Sequence, residues 1–159
     1  MPHFDMMRML PHKAPVYLVE QLRILAEQLT TEKSKYDFFA GSVADYRICD
    51  MLRALSQENL QYINEIHSQL RILGADSNED ILMYKKPELS PAFAATTGYS
   101  TEEILTMCRA GEKNMIAAYR MVLNEPFLPQ DTRTLLRYQL NGVMYAFLQL
   151  KLVSSAFSH

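Results

Sequence analysis

Three glutamates and one glutamine stand on or beside the apolar stripes of helical patterns. Glu32 lies in "EKSKYDFFA", Glu58 in "LSQENLQYINEI" and Glu112 in "CRAGEKNMIAAY", while Gln139 holds the matching place in the last apolar stripe. An ionised carboxylate is expensive to bury, so each must meet a metal, a hydrogen-bond donor, a cation or a proton. The di-iron chemistry of helical bundles uses a Glu from each of two helices and a Glu-x-x-His pair from each of the other two, because side chains at i and i+3 project to one side. Glu32 and Glu112 can fill the first role. The second fails: Glu58 is followed at i+3 by Gln61, and Gln139 by Gly142. His67 lies beyond the reach of Glu58, and His3, His12 and His159 lie near the ends of the chain. A reduced site of Glu32, Glu58 and Glu112 could still hold one divalent ion with waters, manganese or magnesium suiting such a shell better than iron. The plainer reading has the carboxylates satisfied by Tyr36, Tyr62, Tyr119, Tyr145 or Gln139, with no metal or other cofactor, since a phenol donates well to a carboxylate and a buried polar cluster can fix helix register.

The elements that position these residues are helices. The prolines leave long proline-free tracts, and proline inside a helix costs about 3 kcal/mol. No period-two alternation and no Asn-Gly or Asp-Gly turn signals a strand. Leu18, Leu22, Leu25, Leu29, Glu32, Tyr36, Phe39 and Val43 share one helical face, and Ile48, Leu52, Leu55, Asn59, Tyr62, Ile66 and Leu73 share another. Asp45 is placed to cap the second helix and Gly74 to end it. Ser100 with Glu103 has the spacing of a capping box that opens a third helix, carrying Leu105, Cys108, Glu112, Met115, Tyr119 and Val122. Glu125-Pro126 stops it, and after Pro129 a fourth carries Leu136, Gln139, Val143, Ala146, Leu150 and Val153. Residues 75–99 form a connection too long for a helical hairpin. Short, long, short connections predict an all-α four-helix bundle of two antiparallel hairpins joined by a crossover, with residues 1–15 an N-terminal arm and 16–156 the bundle.

The chain has 159 residues, enough for one domain with its own core. Lys and Arg number 16 against 18 Asp and Glu, a net charge of −2 that offers no field to attract nucleic acid or an anionic membrane. The longest apolar run near the C-terminus falls far short of a membrane span, and the N-terminal residues lack the apolar core of a signal peptide, so a cytoplasmic protein is expected. Cys49 and Cys108 lack a C-x-x-C spacing and read as buried small hydrophobes. The Met and Tyr content of the seam reads as core packing rather than as a box for an apolar cofactor.

The segments "EKSKYDFFA", "LRALSQENLQYINEIHSQLRILG", "CRAGEKNMIAAYRMVL" and "LPQDTRTLLRYQL" together resemble the uncharacterised bacterial ferritin-like proteins found near the rubrerythrins. Within them, Cys108, Gly111 and Glu112 followed by Tyr119 are similar to the second half of that family. The resemblance covers roughly residues 18–153 and implies the ferritin-like fold; activity is implied far less, since Gln61, Gln139 and Gly142 depart from the ligands that peroxide chemistry needs. The expectation is a non-enzymatic ferritin-like protein with a lost or degenerate di-metal site, serving as an interaction or stress-associated protein. The alternative is an iron- or manganese-carboxylate protein in oxygen or peroxide handling or metal storage. Tyr138, Leu140, Met144, Tyr145, Phe147, Leu148 and Leu152 make the fourth helix apolar nearly all round, which predicts a homodimer formed through it.

Overall fold

The computed structural model describes residues 16–75 and 98–157. The N-terminal arm and most of the long connection lie outside the described residues. Four helices account for nearly all of the rest: α1 (Val16–Ala40), α2 (Tyr46–Ile72), α3 (Thr101–Leu123) and α4 (Gln130–Phe157). There is no strand among the described residues, and none of the described helices is long and apolar enough to cross a membrane.

Helix boundaries follow the local chemistry. The Asp45 side chain accepts from the Arg47 N–H at 2.9 Å, meeting one of the donors that a helix start leaves open. Ser100 and Glu103 form the reciprocal capping box, at 3.1 and 3.0 Å. Gly74 takes a positive φ of 78°, the left-handed turn that ends α2 with little steric cost. α1 stops at Ala40, so Val43 belongs to the connection rather than to the helical stripe, and it packs against the core from there.

The apolar stripes meet in two clusters. One joins Leu18, Leu22, Leu25 and Leu29 of α1 to Ile63, Ile66 and Leu70 of α2, Met115 and Val122 of α3, and Leu136 and Val143 of α4. The other joins Tyr36 and Phe39 to Ile48, Leu52 and Leu55, to Ile104, Leu105 and Cys108, and to Ala146 and Leu150. Burial of each of these large side chains stabilises the fold by roughly 2 kcal/mol before conformational entropy is counted.

Polar pairs mark how the helices lie. Ser56 donates to Asp37 at 2.5 Å and Asn59 to the Leu29 carbonyl at 3.3 Å, so numbering falls on α1 as it rises on α2. Asn59 is thereby a satisfied polar residue in the stripe. Gln69 of α2 meets Thr132 of α4 at 2.8 Å. Ala75 packs with the first cluster, whereas the Tyr99 ring meets Phe39 edge-on in the second, centroids 6.1 Å apart.

Candidate functional site

Between the two clusters α1, α2 and α3 each place a glutamate. Glu112 is the deepest, only 2% exposed. Tyr36 reaches across from α1 and donates its hydroxyl to Glu112 Oε1, whereas Oε2 is buried and has no hydrogen-bond partner. Glu32 turns towards the same level and pairs with Lys35 at 3.3 Å. Its carboxylate lies against the backbone of α3 at Gly111, where a β-carbon would overlap it; glycine at 111 is what allows the approach. Glu58, half-buried, accepts from the Tyr62 hydroxyl at 3.1 Å.

Gly142 has a steric reason of its own. The Tyr62 hydroxyl occupies the space a β-carbon at 142 would need, with Tyr62 Cζ at 3.0 Å and Glu58 Oε1 at 3.7 Å from that point. Gln139 does not join the carboxylates. Its Oε1 accepts from Tyr119 at 2.7 Å, and its Nε2 donates to the Tyr62 carbonyl at 3.2 Å and to Glu65 at 3.1 Å. Glu65 is a member of this network that the apolar stripes do not pick out. Its signal in the sequence is the seven-residue spacing from Glu58, which returns it to nearly the same face of α2.

The electrostatics follow from burial. Desolvation raises the Glu112 carboxyl to about 7; the Tyr36 hydrogen bond opposes the rise, and the charges of Glu32 and Glu58 add to it. Glu32 is raised by burial and partly restored by Lys35. Burial, reinforced by neighbouring carboxylates, pushes the Tyr36 and Tyr62 hydroxyls up, so both stay protonated donors. Tyr119 is raised by burial and then by its neighbours Tyr62, Glu112 and Glu65. Cys108 is 2% exposed, and burial next to Glu32 and Glu112 raises its thiol far from the reactive thiolate range. His67 is lowered by burial and by Arg71.

The residues do not fit a di-iron centre. Gln61 is exposed and turned along α2 to Glu65, at 3.4 Å, and the space beside Gly142 is filled by a phenol. Among the described residues no group of three or more His, Cys, Asp or Glu is arranged to hold a metal ion. Of the proposed phenol donors, Tyr36 and Tyr62 serve carboxylates and Tyr119 serves Gln139, whereas Tyr145 is 64% exposed on the outer face of α4 and takes no part. A surface groove of about 300 Å³ between α1 and α3, lined by Ile24, Glu27, Gln28, Thr31, Glu32, Asn114 and Met115, reaches Glu32 from outside.

No protein-family model matches the chain, and no curated protein is significantly similar to it. The buried layer has a definite chemistry. Among the described residues it pairs phenol donors with carboxylate and amide acceptors and Lys35 with Glu32, and it leaves Glu112 Oε2 without a partner.

Proposed function

We propose that the chain is a ferritin-like protein in which a hydrogen-bonded polar layer stands in place of a di-metal centre, and that its role is non-enzymatic, as an interaction protein. The observation that carries this reading is the Tyr62 hydroxyl seated beside Gly142 and bonded to Glu58, in the space where a Glu-x-x-His pair on α4 would put its imidazole. The ferritin-like connectivity, two antiparallel hairpins joined by a long crossover, is supported by the pairs Asp37–Ser56 and Leu29–Asn59 and by the separation of Ala75 and Tyr99 into different clusters. The layer's use is register: the pairs that cross between helices, Tyr36 with Glu112 and Gln139 with Tyr119, Glu65 and the Tyr62 carbonyl, form only when those helices are correctly placed along one another.

The runner-up, an iron- or manganese-carboxylate protein, draws on one observation. Glu112 Oε2 is buried without a partner, next to the charges of Glu32 and Glu58. Elemental analysis of protein expressed in iron- and manganese-supplemented medium separates the two. The preferred reading expects negligible metal and no peroxidase or ferroxidase activity; near-stoichiometric metal that disappears in Glu112→Gln would replace it with the runner-up.

A further inference from the structure

The outward face of α4 carries a second periodic pattern that the core does not use. Tyr138, Tyr145 and Leu152 recur at every seventh residue, with Asn141, Leu148 and Ser155 three places after each, the alternation of three and four that defines a two-helix seam. The apolar members are open to solvent: Tyr138 59%, Tyr145 64%, Leu148 53% and Leu152 73% exposed. The helix's buried residues, among them Leu136, Val143 and Leu150, lie on a different stripe facing the other helices. From Tyr138 to Leu152 the only charged residue is Lys151.

The size of the face narrows what can cover it. With Met144 at its edge, the stripe leaves roughly 600 Å² of mostly apolar side chain in water, taking full side-chain areas on the order of 150–250 Å², the top of the range for the largest patch on a soluble monomer. Matched by an identical face, it would bury roughly 1,200 Å² in total, above the ~1,000 Å² at which specific interfaces begin. We propose that this face packs on the same face of a second copy across a two-fold axis, making a homodimer with the two α4 helices at its centre. A helix presenting a seven-residue repeat is met best by another with the same repeat, and a two-fold interface is self-complementary by construction. The near absence of charge gives no feature that would select a partner of opposite sign. The tyrosine hydroxyls can stay at the rim in water while their rings are covered, and of the two polar positions in the stripe, Asn141 and Ser155, Asn141 lies between apolar members and fixes register. The dimer does not rest on the ferritin-like reading.

Tyr145 is the midpoint of the stripe, so it meets its own counterpart whether the paired helices run parallel or antiparallel. Sedimentation of the full chain at high micromolar concentration is expected to give a dimer, and Leu148→Glu with Leu152→Glu to weaken it at least tenfold without loss of helix content by circular dichroism. Tyr145→Cys in a Cys49→Ser background should give a disulfide-linked dimer on mild thiol oxidation. This measurement decides the question even if the charged variants fail to fold. A wild-type monomer at that concentration would overturn the proposal, the face then being covered by the chain's own remaining residues. A dimer indifferent to the charged variants and not trapped by the cysteine would place the interface elsewhere and overturn it equally.

Discussion

At Gly142 a residue that reads as a missing ligand in the sequence proves to be space made for a neighbour. Alanine normally gains about 1 kcal/mol over glycine inside a helix, but here its β-carbon would collide with the Tyr62 hydroxyl, and displacing a buried ring costs about 1–3 kcal/mol. Gly142→Ala should therefore destabilise the chain in urea unfolding, and Tyr62→Phe should remove more than half of that cost, a coupling read from the double-mutant cycle. Glu112 sets a second expectation. The folded chain holds its proton up to about pH 7, whereas a glutamate in the unfolded chain releases it near 4.5, so between these values the folded state binds more protons. Its contribution is complete below about 4.5 and is lost as pH rises to about 7, a difference on the order of 3 kcal/mol. Glu32 acts in the same direction, and His67, lowered on folding, in the opposite one just below its ordinary value of 6.5. Stability of wild type measured against Glu112→Gln at each pH isolates the single group; a ratio that does not change with pH would refute the assignment. The polar character of the Glu32, Glu58 and Glu112 positions was legible in the sequence. Tyr62 lies four residues beyond Glu58 and Lys35 three beyond Glu32, on the same helices, whereas the Tyr36–Glu112 pair depends on the distance between α1 and α3, which the sequence does not give.

Helix ends were the most legible elements, because caps and prolines act locally. Ser100 and Glu103 satisfy each other's open backbone groups without help from the rest of the fold, and Asp45 does so for α2. Ser100→Ala should cost about 1 kcal/mol, visible as a lower urea midpoint with an unchanged slope. Val43 continues the spacing of α1 but not the helix, which ends at Ala40 as the chain turns toward α2. Periodicity cannot distinguish a residue that reaches the core from a helix from one that reaches it from a loop. Glu65 escaped for a related reason: it stands at the margin of the α2 stripe and is drawn into the network by Gln139, a residue on another helix.

Across the whole molecule, the carboxylates stand at the junction of two apolar clusters, each drawing on all four helices. Ile66 in one and Leu105 in the other are fully buried, and truncating either to alanine should cost about 2–5 kcal/mol. Because they sit in separate clusters, the two losses should add to within about 0.5 kcal/mol in the double variant, and a single unfolding transition should persist. The four-helix class followed from the spacing of apolar residues and prolines alone. The course of residues 76–97 did not, since an apolar pattern broken by prolines sets no path, and that segment lies outside the described residues.

The fit of Tyr62 against Gly142 also makes the order of change directional. Gly142→His as a first step meets an occupied space, and Tyr62→Ala as a first step strips Glu58 of its donor and opens a hole between α2 and α4. Room for a larger side chain at 142 therefore depends on first shortening the one at 62. Positions 62 and 142 are thus bound to vary together, a large side chain at one requiring a small one at the other, whatever stands at Gln61 and Gln139.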